Sequence, residues 1–148
     1  MDNDNIARIF QKIAQLLEIK GENAYVTNAY QRAAESIRIY PDTLEQMDIP
    51  TLKTIPGVGE AIAKKIDEIN RTGNLQFLDK LEKDVPPSLL EWLTIPGVGP
   101  KTVRRIWQTL HISTLEELKT AAQQKALQAL PGIGEKLEAR ILSAIEVL

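Results

Sequence analysis

Cysteine is absent from the 148 residues. Disulfides, thiolate metal centres and cysteine nucleophiles are therefore excluded. A single histidine, His111, excludes a multi-histidine metal site. No apolar run approaches the roughly 18 residues that a bilayer-spanning helix needs, so no membrane partner is expected. Nothing alternates with period two over the length of a strand. The opening Met1-Asp2-Asn3-Asp4-Asn5 is acidic and polar, which argues against a secretory signal peptide. A cytoplasmic location is the expectation, nucleoid-associated in a prokaryote. An excess of positive charge is also missing. The formal net charge is −2 and the isoelectric point about 5.5, the wrong global sign for a nucleic-acid binder, so any such function must rest on local charge.

What the sequence does have is repetition. Thr54-Ile55-Pro56-Gly57-Val58-Gly59 recurs unchanged at Thr94-Ile95-Pro96-Gly97-Val98-Gly99, and as a variant at Ala129-Leu130-Pro131-Gly132-Ile133-Gly134. The offsets are 40 and 35 residues. Similarity runs on past the glycines: Ala63-Lys64-Lys65-Ile66 aligns with Val103-Arg104-Arg105-Ile106 and with Glu138-Ala139-Arg140-Ile141. Three copies of one small unit fill most of the chain after residue 50.

The remainder has helical periodicity. Ile6, Ile9, Phe10, Ile13, Leu16 and Leu17 follow the spacing of one buried helical face. Asn3, Asp4 and Asn5 are candidate N-caps for this helix, and Gly21 stops it. Asn23 is placed to cap a second helix, with Tyr30, Ala33, Ala34 and Ile37 inward, that closes before Pro41. Leu75, Leu78 and Leu81 predict a short helix ended by Val85-Pro86-Pro87. Ser88 then caps Leu89–Leu93, and Ser113 or Thr114 caps a further helix in a capping box with Glu116 or Glu117. The expected fold is all-α, with an N-terminal four-helix domain over residues 1–84 containing the first hairpin, and a double-hairpin domain over 87–148.

The repeated unit reads as a short helix, a tight turn through two glycines, and a second helix starting at the second glycine. Glycine adopts positive φ without penalty and lets another backbone approach closely. The apolar residue between the glycines (Val58, Val98 or Ile133) packs back between the helices. The helix that follows begins with unpaired N–H groups at the positive end of its dipole. That is an anion site built from backbone, and phosphate is its natural ligand. Such contacts hold a phosphate backbone without reading bases, and nearby cations add a salt-dependent term.

The middle copy is the best equipped. Pro100 suits the first helical position. Lys101, Thr102, Arg104 and Arg105 follow, and residues 94–111 carry three positive charges and no negative one. The first copy has Lys53, Lys64 and Lys65 but also Glu60. The third has Lys136 and Arg140 but also Glu135 and Glu138, carboxylates expected to compete with an incoming phosphate. The predicted DNA contacts are Gly57, Val58, Gly59, Lys64 and Lys65; Gly97, Val98, Gly99, Lys101, Thr102, Arg104 and Arg105; and Gly132, Gly134, Lys136 and Arg140.

The unit resembles the helix-hairpin-helix motif, a non-specific DNA-binding element of repair enzymes, polymerases and ligases. A narrower resemblance lies in Asn28-Ala29-Tyr30-Gln31-Arg32-Ala33-Ala34 followed by Ile55-Pro56-Gly57-Val58-Gly59-Glu60-Ala61-Ile62-Ala63-Lys64-Lys65-Ile66-Asp67-Glu68. This is similar to the N-terminal domain of family X DNA polymerases, especially the bacterial branch. Ile95-Pro96-Gly97-Val98-Gly99-Pro100-Lys101 resembles that family's second hairpin. The resemblance implies binding of duplex, gapped or nicked DNA, with a hairpin on each side of a gap. It also implies a K+ or Na+ ion held by main-chain carbonyls of Lys53, Ile55 and Val58, and of Leu93, Ile95 and Val98. No other cofactor is expected. The family's palm domain, with its three metal-binding carboxylates, has no counterpart in these residues, so a stand-alone relative without polymerase chemistry is expected.

In that family the N-terminal domain can also be a 5′-deoxyribose-phosphate lyase, whose lysine attacks the sugar aldehyde to form a Schiff base. The matching residue is Lys65, with Lys64 beside it expected to disfavour the ammonium form. Lys53 and Tyr30 match positions lining the pocket. The phosphate grip departs from the pattern: Val26, Asn28 and Gln31 stand where relatives often carry bases, and Ala61 and Phe77 replace lysines. Three readings follow. The first is non-enzymatic DNA binding in repair or replication, and the second is a lyase acting through Lys65. The third is a protein-interaction module, consistent with residues 1–50, where eight acids face five bases for a charge of −3.

Overall fold

The computed structural model describes all of Met1–Leu148, and every regular element is helical. The chain divides into two compact units, Met1–Glu18 with Glu22–Asp84, and Val85–Leu148 with Ile19–Gly21. No helix is long and apolar enough to cross a membrane.

The first unit holds α1 (Asn3–Lys20) as far as Glu18, α2 (Ala24–Ile39), the single-turn α3 (Ile49–Leu52), α4 (Glu60–Thr72) and α5 (Gln76–Asp84). Its core contains the apolar stripes read from the periodicity, Ile6, Phe10, Ile13 and Leu16 from α1 and Ala33 and Ile37 from α2, joined by Ala63 and Ile66 from α4, all fully buried. Asn23 caps α2 by accepting from Val26 N–H at 3.0 Å. The cap of α1 differs from expectation. Asp2 accepts from Asn5 N–H at 2.8 Å, which frees Asn3 for a longer-range task. Asn3 donates to the Asp42 carbonyl at 2.8 Å and accepts from Leu44 N–H at 3.0 Å. It thereby anchors the loop that leads from α2 to the first hairpin.

The second unit repeats one pattern twice. A 3-10 helix (Pro87–Thr94), a turn and α6 (Pro100–Leu110) are followed by α7 (Leu115–Gln123). A second 3-10 helix (Leu127–Ala129), turn and α8 (Glu135–Glu146) complete the unit. Ser88 does not cap the first 3-10 helix. The cap position is Pro86, and the Ser88 hydroxyl donates to the Ser113 carbonyl at 2.6 Å, tying the start of the second hairpin to the start of α7. The capping box resolves onto Thr114 and Glu117. Its effect reaches the carboxyl group: hydrogen bonds from Ser113 N–H and from Thr114 hold the Glu117 pKa below the usual range. Trp92 is fully buried and Trp107 half-buried beside the second hairpin.

Candidate functional site

Each hairpin corner begins with a β-turn. Val58 N–H donates to the Ile55 carbonyl at 3.0 Å, Val98 N–H to Ile95 at 3.0 Å and Ile133 N–H to Leu130 at 3.1 Å. Proline stands second in each turn and glycine third. Gly57, Gly97 and Gly132 have φ of 83°, 88° and 82°. This is a type II turn, which needs positive φ at its third residue. Val58, Val98 and Ile133, the fourth residues, are buried as expected.

The second glycine of each pair is there for a different reason. Gly59, Gly99 and Gly134 have φ of −89°, −109° and −101° with ψ near 180°, extended backbone open to any residue. A Cβ built on any of them meets no atom within 4 Å. Neither conformation nor packing within the fold requires glycine here. These residues are the N-caps of α4, α6 and α8, and none supplies a side-chain cap. By contrast α2, α3 and α7 are each capped by a side chain, from Asn23, Asp48 and Thr114. The three hairpin helices therefore start with bare N–H groups and the positive end of the helix dipole behind open space.

The surrounding charges sort unevenly. At the second hairpin Lys101 and Arg105 are exposed and Thr102 and Arg104 half-buried. The Arg105 guanidinium donates to the Pro131 carbonyl of the third hairpin. At the first hairpin Lys53 and Lys64 are exposed, Lys65 is half-buried, and Glu60 lies exposed in the first turn of α4. At the third hairpin Lys136, Arg140 and Glu135 are exposed. Glu138 corrects the sequence reading, because it is 5% exposed and turned inward. It accepts from Leu127 N–H at 2.9 Å, Gln128 N–H at 3.1 Å and the Gln128 side-chain amide at 2.6 Å. It fixes the 3-10 helix ahead of the third turn and does not compete for an anion at the corner. The first-turn acid left at that corner is Glu135.

Residues 1–75 match the profile of the helix-hairpin-helix domain, and residues 89–146 match that of the SAM-like helix-hairpin-helix tandem. The chain belongs to the helix-hairpin-helix family. The family X resemblance extends along nearly all of it. It is 32% identical over 145 residues to DNA polymerase/3′-5′ exonuclease PolX of Bacillus subtilis (strain 168), an alignment covering 98% of this chain and 25% of the polymerase. It is 31% identical over 152 residues to DNA polymerase lambda of Arabidopsis thaliana, covering 99% and 28%. A shorter match, 38% identical over 66 residues, is to the Holliday junction branch migration complex subunit RuvA of Azobacteroides pseudotrichonymphae, covering 45% and 32%. This helix-hairpin-helix chain thus spans about a quarter of the length of the two polymerases.

The turns of the helix-hairpin-helix corners also involve main-chain oxygens. The Ile55 and Ile95 carbonyls each accept one turn N–H, and a carbonyl has a second lone pair for a cation. No group of three or more histidines and carboxylates is arranged to hold a metal by side chains.

Lys65 lies in an open groove of about 410 Å³ on the first unit, with Ala61, Lys64, Glu68 and Phe77 among its walls. Its pKa falls below the usual lysine value because burial desolvates the ammonium, and Glu68 opposes the fall. Desolvation, not repulsion from Lys64 as the sequence suggested, is therefore the cause of the shift. The Lys65 Nζ lies 4.7 Å from the centre of the Phe77 ring, a contact that favours the charged amine. Phe77 stacks on Tyr30 at 5.9 Å, and Tyr30 on Phe10 at 6.1 Å. Tyr30 is 9% exposed and belongs to the core, with burial raising its pKa. Of the other acids in this region, Asp67 pairs with Arg71 at 2.9 Å, and Glu68 accepts from Gln76 N–H at 2.7 Å.

Proposed function

We propose that this chain binds the sugar-phosphate backbone of DNA without reading base sequence, in a repair or replication setting. The observation that carries the reading is the pair of roles within each Gly-x-Gly. The first glycine makes the turn, and the second leaves a helix N-terminus bare where the fold itself has no use for the missing Cβ. A phosphate oxygen fits that gap, accepting N–H bonds and meeting the dipole's positive end. The relatives, two DNA polymerases and a Holliday junction branch migration subunit, support the same ligand. A K+ or Na+ ion on the hairpin carbonyls would supply a positive bridge to a second phosphate oxygen.

Titration against intact, nicked, gapped and single-stranded DNA at several salt concentrations tests the reading. Affinity should fall steeply with salt, with little change on base substitution. Absent or salt-insensitive binding would favour a protein-interaction module instead.

A second reading is favoured by the depressed pKa of Lys65 in its groove. Its neutral amine would add to the aldehyde of an abasic deoxyribose, lose water to form an imine, and permit β-elimination of the 3′-phosphate. Borohydride reduces such an imine to a stable adduct. A covalent protein–DNA band, lost in Lys65→Ala, would establish the activity, and its absence would leave binding alone.

A further inference from the structure

The missing Cβ of each turn glycine, though the glycine is exposed, faces an arginine from a different helix. A Cβ at Gly57 would meet Arg32 Cγ at 3.2 Å and Cδ at 3.4 Å, and Arg32 belongs to α2. A Cβ at Gly97 would meet Arg140 Nη1 at 2.9 Å, from α8. A Cβ at Gly132 would meet Arg105 Nη1 at 2.7 Å, from α6. The last two are reciprocal: the helix leaving the second hairpin arms the third, and the helix leaving the third arms the second. Arg105 and Arg140 hold the same position of the repeat, so this exchange follows its internal symmetry.

We propose that these cross-delivered arginines are the charged half of each hairpin, with Arg32 serving the first, Arg140 the second and Arg105 the third. The assignment rests on the backbone-binding reading above. None of the three is paired with a carboxylate. At Gly97 and Gly132 the atom met is a guanidinium nitrogen and at Gly57 the stem of Arg32; a cation beside a helix N-terminus has the wrong sign for that dipole, so the dipole does not favour it there. It becomes favourable when an anion sits between guanidinium and N–H groups. A guanidinium has five N–H donors. Arg105 uses one on the Pro131 carbonyl, which holds it at the third turn and leaves the others for phosphate. Arg32 is the residue that the hairpin repeats could not reveal, because it stands on α2, ahead of all three.

The test is fluorescence anisotropy on a single-nucleotide-gapped duplex between 50 and 200 mM KCl, with Arg32→Gln, Arg140→Gln and Arg105→Gln. Glutamine keeps part of the stem and removes the charge. Each loss of a phosphate contact should lower the log–log salt slope by about 0.9, so that wild type weakens about 3.5-fold more than the variant across that range. Arg32→Lys should restore the slope. Arg38→Gln is the charge-matched control, since Arg38 is also on α2 but donates to Gln11 at 2.9 Å. An unchanged slope in the glutamine variants overturns the assignment, as does an equal fall in Arg38→Gln. A variant that loses affinity and melting temperature together at constant slope has lost structure, and also overturns it. Wild type without DNA affinity overturns the backbone-binding reading itself.

Discussion

Replacing Gly99 with serine should make the protein more stable and a weaker DNA binder. Gly99 has φ of −109° and ψ of 179°, allowed for any residue, and a Cβ there meets nothing within 4 Å. The new hydroxyl could accept from an N–H in the first turn of α6, as Thr114 accepts from Glu117 N–H at 3.1 Å in α7. Serine outranks glycine as an N-cap by about 0.3 kcal/mol. Restricting the unfolded chain adds about 0.4–1 kcal/mol. The sum, about 1 kcal/mol, corresponds to a melting temperature about 2–4 °C higher for a chain of this length. The same hydroxyl would consume a donor meant for phosphate and place atoms in its approach path. A lost hydrogen bond to a charged partner is worth about 1.5–3 kcal/mol, or about tenfold or more in affinity. Gly97→Ser should behave otherwise. At φ of 88°, with Arg140 Nη1 at 2.9 Å and Leu137 Cδ1 at 3.2 Å from the new Cβ, it should lose about 1–2 kcal/mol of stability. Thermal melts and anisotropy titrations of both variants read the contrast. A Gly99→Ser protein that melts below wild type, or binds gapped duplex with full affinity, would refute the bare-corner argument.

Further outcomes follow from the rest of the structure. Glu138→Ala should cost about 2–3 kcal/mol, read as a lower denaturant midpoint, because it strands the buried Leu127 N–H and the half-buried Gln128 N–H; a surface-like loss below about 0.5 kcal/mol would contradict its inward placement. His111→Gly should raise stability by about 0.5 kcal/mol, since His111 ends α6 at φ of 55° where an L-residue is strained; unchanged or lower stability would count against that strain. For Lys65, the folded pKa lies below the unfolded value, so the unfolded chain binds more protons between the two. Its contribution to stability therefore rises with pH as the solution approaches pH 10.5 from below. Tyr30, whose pKa is raised from 10.0, acts in the opposite direction above that pH. The difference between wild type and Lys65→Met isolates the lysine, and an absent rise in that difference would refute desolvation as the cause.

How much was readable in advance depended on the range of the interactions. The amino-acid sequence alone determined the helical class, the buried faces of α1 and α2, the three turns and a capping box at Ser113 or Thr114, which the structure resolved onto Thr114. Each arises within a few residues: a 3.6-residue period, a Pro-Gly pair, a hydroxyl three residues from a glutamate. Tertiary structure decided what residues distant in sequence do to one another. Asn3 left the cap of α1 for the loop near Leu44, and Glu138 turned into the fold to hold Leu127 and Gln128. Lys65 owed its shifted pKa to burial in a groove walled in part by Phe77 from α5. The arginines met the hairpins in the same way, through helices that no local pattern pairs. The two glycines of each corner show the division at its smallest scale. The letters Gly-x-Gly mark both, but only the folded structure separates the glycine required by its dihedral angle from the one whose missing side chain faces empty space.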